Sequence, residues 1–300
     1  MCEVNRILIT GADGNLGGKM TRLLADGSEY GVVAVSSFPD RIPAMIKREH
    51  IQNTDKIIQL SSDEMFTADL SQYNIIGVVH FAFSRRGFPD KDIASSLDYS
   101  LAAFRKIVAS GIQNAIYVSS QGVYGNTPAW RDVNCDPAPN NVYTMAKYAG
   151  EKLFEAVYMD SKLQHAIIRL DFVIQSQNLV KALCRNVKEN GTIFLKGGNQ
   201  VFSYLDADDV PEAILALLET KNRWRPVYNV GPDRMRLSLL EVAETVKKVA
   251  ASEGYEAIIS LEEDDTVLWA GMNSSEFMDD TGWKPSTGIF DMIHKIFISC

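Results

Sequence analysis

Cysteine is scarce and scattered: Cys2, Cys135, Cys184 and Cys300 form no C-x-x-C pair, so neither a zinc site nor a disulfide framework is suggested. Reduced thiols are expected. Cations are in deficit, with 30 lysines and arginines against 38 acidic residues, a net charge of −8 and no dense basic run. That balance argues against nucleic acid as a partner, because phosphate neutralisation needs clustered cations. Long apolar runs are missing too. The longest, Ile75 to Phe83, is interrupted by His80 and has about half of the ~20 residues a membrane helix needs. It reads as a core strand, and no membrane span is expected. No secretory signal is visible at the amino terminus, so a cytoplasmic location is expected. His50, His80, His165 and His294 stand far apart without acids or thiols at ligand spacing, so no metal is expected.

What is present is an ordinary globular composition, 46% hydrophobic and 23% charged over 300 residues. Such a chain forms one large α/β unit with a smaller lobe, or two domains. Apolar runs at Arg6 to Thr10, Val32 to Ser36, Ile75 to Phe83, Ala115 to Ser119 and Ala166 to Leu170 predict strands. Between them, Gly17 to Asp26, Ile93 to Ser110 and Val142 to Met159 carry apolar residues at helical spacing. The alternation predicts a doubly wound parallel sheet with helices on both faces, a Rossmann-like α/β fold. Beyond about residue 170 the rhythm loosens, with helices predicted at Leu179 to Glu189, Asp209 to Glu219 and Leu239 to Ala251. We therefore expect a dinucleotide-binding domain over 1–172, with 205–222 returning to it. A smaller, interleaved substrate lobe is expected over 173–204 and 223–300.

The segment from Thr10 to Gly18 follows a strand and opens a helix, with glycines at 11, 14 and 17. A tight strand-to-helix reversal needs unusual φ/ψ, and a pyrophosphate approaching backbone needs absent side chains. The helix start then offers unpaired N–H groups and a positive dipole end. Gly11, Asp13, Gly14, Asn15, Leu16 and Gly17 are thus candidate cofactor contacts. An acid that would hold the ribose of NAD is expected about 20 residues on, at the end of the second strand. That strand ends in Ser36 and Ser37, with Arg41 close behind, which leans towards NADP and leaves NAD open. Asp40 is the missing acid if the strand runs longer. Asp69, beside Leu70, is an acceptor for an adenine amino group or a plain loop carboxylate.

Ser119 and Ser120 end a strand, and Tyr143 and Lys147 lie four apart on one face of the helix that follows. A phenol titrates near pH ~10, but a neighbouring ammonium and a nicotinamide cation both favour its phenolate. Tyr143 can then shuttle a proton while Ser120 holds the same substrate oxygen. The bland alternative is an ordinary half-exposed helix pair. Asn126 to Asn141 lies between the two and is either a substrate-covering loop or a connector; Asp171 either touches substrate or caps a turn.

Together these residues resemble the extended short-chain dehydrogenases/reductases, specifically the NAD-dependent epimerase/dehydratase group acting on nucleotide sugars. The resemblance also rests on Val79-His80-Phe81-Ala82, Val118 to Gly125, Asp208-Asp209-Val210, Tyr228-Asn229-Val230-Gly231 and Gly282-Trp283-Lys284-Pro285. It implies that Ser120, Tyr143 and Lys147 are catalytic, with Lys147 also holding the nicotinamide ribose. Asp69, Leu70, Phe81 and Ala82 are further candidate cofactor contacts, and Ser120, Gln121, Tyr143, Arg85, Asp171 and Phe172 are candidate substrate contacts. A homodimer through the helices near 93–110 and 142–159 is implied as well. Three departures stand out. Gln121-Gly122 replaces the Asp-Glu pair of the dehydratases, which sets dehydration aside. Phe172 stands where the family places a diphosphate-contacting Asn, and Phe202-Ser203-Tyr204 replaces an Arg-Asp-Phe segment. Arg85, Arg86, Arg169, Lys196 and Arg236 are candidate replacement cations.

The expected function is therefore an NAD(P)-dependent epimerase or 4-ketoreductase of a nucleotide sugar. Two alternatives stay open: an NADPH-dependent reductase of a non-nucleotide ketone or aldehyde, and a non-catalytic dinucleotide-sensing protein.

Overall fold

The computed structural model describes residues 4–84 and 87–300. Its first part alternates strand and helix: β1 (Arg6–Thr10), α1 (Asn15–Gly27), β2 (Gly31–Ser36), α2 (Ile42–Arg48), β3 (Ile57–Ser61), α3 (Ser62–Thr67), β4 (Ile75–His80), α4 (Asp90–Ala109), β5 (Asn114–Ser120), α5 (Val142–Tyr158) and β6 (Gln164–Leu170). Shorter pieces follow: β7 (Phe172–Val173), α6 (Asn178–Asn190), β8 (Thr192–Lys196), β9 (Val201–Phe202), β10 (Tyr204–Leu205), α7 (Asp209–Glu219) and β11 (Val227–Val230). The chain ends with β12 (Leu237–Ser238), α8 (Leu239–Ser252), β13 (Ile258–Glu262), α9 (Ser275–Thr281) and α10 (Ile289–Ser299).

Seven strands pair in parallel in the order β3-β2-β1-β4-β5-β6-β11. The order reverses between β1 and β4, and the crevice at such a switch point is where doubly wound sheets bind ligands. Both faces of the sheet are covered, which is why its central strands read as continuous apolar runs. On one face Ile7, Ile9, Val32, Ala34 and Ile168 meet Met20, Leu24, Ile214 and Leu217 of α1 and α7. On the other, Leu8, Val33, Val78 and Tyr117 meet Phe104, Ile107, Phe154 and Tyr158 of α4 and α5. A separate core joins α6, α8 and α10 to the two-stranded β8–β13 sheet.

The expected boundary at 223 needs correction. β11 joins the large sheet beside β6 through Val227 to Val230, and Phe277 and Trp283, at and just past α9, belong to that sheet's core. The four-residue strand is too short to show a period, and Asn229 at its centre is buried only because its side chain finds partners. β3 and α10 were likewise unanticipated. Among the described residues no helix is long and apolar enough to cross a membrane, and no cluster of three or more His, Cys, Asp or Glu could hold a metal.

Candidate active site

The turn after β1 is built from backbone. Gly11 has φ +70°, and a Cβ there would lie 2.9 Å from the Ala82 backbone. A Cβ on Gly17 would lie 2.2 Å from the Gly11 carbonyl oxygen. Phe81 and Ala82 close the cradle from β4, with the Phe81 N–H donating to the Thr10 carbonyl at 3.2 Å. Helix α1 then starts at Asn15 from Gly14 with no capping side chain. Leu16 packs partly onto the core. A side-chain-free concavity ending in helix N–H groups fits the pyrophosphate of a dinucleotide.

Beside the cradle, the Ser36 hydroxyl donates to Asp13 Oδ1 at 2.7 Å, and the Phe38 N–H donates to Ser36 Oγ at 2.9 Å. The Arg41 guanidinium lies 4.0 Å from Asp13 Oδ2 and stacks over the Phe38 ring. A carboxylate therefore stands where the lean towards NADP assumed none, and that preference has no structural support. Asp69 is exposed and accepts from the Ser71 N–H and hydroxyl, which holds its carboxyl below the usual range. Leu70 is buried in the α4/α5 core.

Ser120 ends β5, with its Oγ accepting the Gly122 N–H at 3.1 Å. A capping box between Asn141 and Thr144 starts α5, so Tyr143 sits in the first turn and Lys147 one turn further in. Gly122 lets these two segments meet, since a Cβ there would touch Thr144 Cγ2 at 2.7 Å and lie 3.4 Å from Ser120 Oγ. The Tyr143 ring packs edge-on against Phe83 at 6.2 Å. Lys147 is buried, donates from Nζ to the Val118 carbonyl at 2.9 Å, and lies 4.1 Å over the same Phe83 ring. Burial pushes its ammonium down to about 7, with Glu151 pulling the other way. His80, by contrast, is a packed ring between Thr10 and Ser100, and burial holds it at about 3.

Sequence reasoning missed the groups that brace these residues. Glu151, one turn past Lys147 on α5, takes two hydrogen bonds from Arg169, at 3.0 and 2.6 Å, and one from Ser119 at 2.5 Å. Arg169 also donates to Tyr124 Oη, which donates to Asn229 Oδ1, and Asn229 Nδ2 donates to the carbonyls of Arg131 and Asn273. The i, i+4 spacing of Lys147 and Glu151 was a usable signal; the link to Arg169 is purely tertiary. Arg169 is thereby committed to Glu151 and is not a free phosphate ligand.

Beyond Ser120, buried Arg131 donates to Gln121 Oε1 and to the Gly125 and Trp269 carbonyls. Arg236 stacks on Trp130 at 4.0 Å and donates to the carbonyls of Ala270, Pro128 and Ala129, pinning the 126–141 loop. Asp171 is buried, takes the Phe172 N–H at 2.9 Å, and is pushed up to about 6 by burial. Phe172, Phe202 and Tyr204 form an aromatic row, with centroids 6.5 and 5.7 Å apart and the last pair stacked. Arg85 lies outside the described residues.

This geometry agrees with what the chain is similar to. A Bacillus subtilis (strain 168) protein described as an uncharacterized UDP-glucose epimerase is 23% identical over 266 residues, covering 82% of each chain. A Bacillus cereus UDP-glucuronic acid 4-epimerase in complex with NAD has the same fold, with a TM-score of 0.80 and 20% identity over 98% of both chains. A Thermotoga maritima UDP-glucose 4-epimerase with UDP-glucose matches at TM-score 0.75 and 20% identity, over 98% of this chain and 97% of that one. The model of the NAD dependent epimerase/dehydratase family matches residues 7–231, and the chain belongs to that family.

Proposed function

We propose that this protein is an NAD-dependent epimerase of a nucleotide sugar, working as a cytoplasmic homodimer. The observation that carries the reading is the approach of Ser120 to the first turn of α5, which bears Tyr143 and Lys147, at the end of the sheet that carries the glycine cradle. The UDP-sugar substrates named for the similar proteins support the substrate class. Gly11, Gly14 and Gly17 with Ala82 would hold the pyrophosphate, and Lys147 the nicotinamide ribose. NAD, when bound, supplies a hydride acceptor that can return the hydride to the sugar.

Tyr143 takes the proton of the reacting sugar hydroxyl at Oη and gives it back when the new configuration forms. Lys147 favours the phenolate by its charge. Ser120 Oγ donates to the substrate oxygen and fixes its place. With UDP-glucose, UDP-galactose and UDP-glucuronic acid, we expect C4 epimers without net NADH; failure with every nucleotide sugar overturns the reading.

The aromatic row at Phe172, Phe202 and Tyr204 favours a second reading, a reductase of a non-nucleotide ketone, because aromatic rings do not pair a diphosphate. Inhibition by UDP or dTDP separates the two. The dimer is supported by the apolar groove between α4 and α5, lined by Leu101, Val108, Leu153 and Val157. Leu153→Glu is expected to give a monomer in sedimentation.

A further inference from the structure

We infer that the Asp13 carboxylate is the group that accepts the adenosine-ribose 2′-hydroxyl and bars a 2′-phosphate, with Ser36 as its positioning residue. The inference rests on the proposed dinucleotide binding, and deepens it by naming what selects the cofactor. In doubly wound folds an acid at the end of the second strand takes the ribose hydroxyl. Here β2 ends in Ser36, whose hydroxyl donates to Asp13 Oδ1 at 2.7 Å. The strand end and the glycine turn thus exchange parts: the turn carries the charge, and the strand carries the hydrogen bond that aims it.

The surrounding atoms fit that role. Asp13 immediately precedes Gly14, the residue from which α1 starts, so its side chain borders the cradle that fits the pyrophosphate. Its carboxylate side chain keeps 17% of its surface accessible, and a carboxylate has more acceptor sites than Ser36 uses. Arg41, 4.0 Å from Asp13 Oδ2, is itself exposed and stacked on Phe38. Arg48 faces the turn differently, donating to the backbone carbonyls of Asp13 and Gly14. A 2′-phosphate seated at this ribose position would lie against the Asp13 charge, which also engages the nearer guanidinium, Arg41. Without that charge, Arg41 would be released to receive the phosphate.

The test is direct titration of the full-length protein with NADH and NADPH, followed by nucleotide fluorescence, with no substrate present. The wild type is expected to bind NADH at least ~30-fold more tightly, as like-charge juxtaposition costs several kcal/mol and 1.4 kcal/mol is tenfold. Asp13→Asn keeps an acceptor for Ser36 and removes only the charge. It should bring the two affinities within about threefold, mainly by tightening NADPH, and adding Arg41→Ala should cancel that gain. Asp13→Ala, checked for folding by circular dichroism, should lose the discrimination as well. Equal wild-type affinities, or an unchanged ratio in Asp13→Asn, overturn the inference. Binding of neither nucleotide overturns it together with the proposed function, whereas tight NADH binding without epimerase activity removes only that function.

Discussion

Two regions of the molecule are made of different material. The glycine turn is built of backbone: a β-carbon on Gly11 or Gly17 would lie within 3.0 Å of backbone atoms, so its shape is set by which residues lack side chains. The region beyond β6 is built of side chains: Arg131 and Arg236 fix it through hydrogen bonds, and Phe172, Phe202 and Tyr204 through ring contacts. A backbone-built surface tolerates one answer per position, whereas a side-chain-built surface can be rebuilt residue by residue. On the proposed function, a fixed cofactor half is joined to an adjustable recognition half.

That contrast is open to attack. Tyr143→Phe should cut turnover by about 10³-fold or more while leaving NAD affinity within about twofold, since only the proton transfer is removed. Steady-state rates beside nucleotide titration check it. Glu151→Gln leaves the Arg169 guanidinium buried without its counter-charge, and should cost about 3 kcal/mol in urea unfolding. Gly17→Ala should cost about 2 kcal/mol and weaken NAD binding, because its methyl would overlap the Gly11 carbonyl. An Ala variant with unchanged affinity would break the idea of a backbone-built turn.

Smaller effects probe the joint between the halves. Lys147 titrates at about 7 in the fold and near ~10.4 unfolded, so between those values the unfolded chain holds a proton that the folded chain lacks. Wild-type stability should therefore rise with pH relative to Lys147→Met, by about 1 kcal/mol per pH unit from 7 towards 10, and be flat below 7. Unfolding midpoints of the apo protein from pH 6 to 9 read the slope. Arg236→Ala should cost only about 1 kcal/mol, but should loosen the 126–141 loop and raise substrate KM more than it lowers kcat.

Legibility followed the same division. The strands of the parallel sheet, the glycine turn and the one-turn spacing of Tyr143 and Lys147 could be read because each shows in local spacing, whereas Ser120 was joined to that pair by resemblance. β11 was hidden, being four residues long with a buried Asn at its centre. The Asp13 and Ser36 pair was hidden because its members are 23 residues apart and meet only when β1 and β2 align. Arg169, read as a candidate phosphate ligand, proved to be the partner of Glu151.

The chain of contacts from Glu151 through Arg169 and Tyr124 to Asn229 has a consequence for descent. Its members come from α5, β6, the turn after β5, and β11, and each is buried. Changing one alone strands a charge or a polar atom, so substitutions within the set are expected to be strongly coupled. In diverging copies of this protein, a change at one of these positions is therefore expected to be accompanied by a change at its partner.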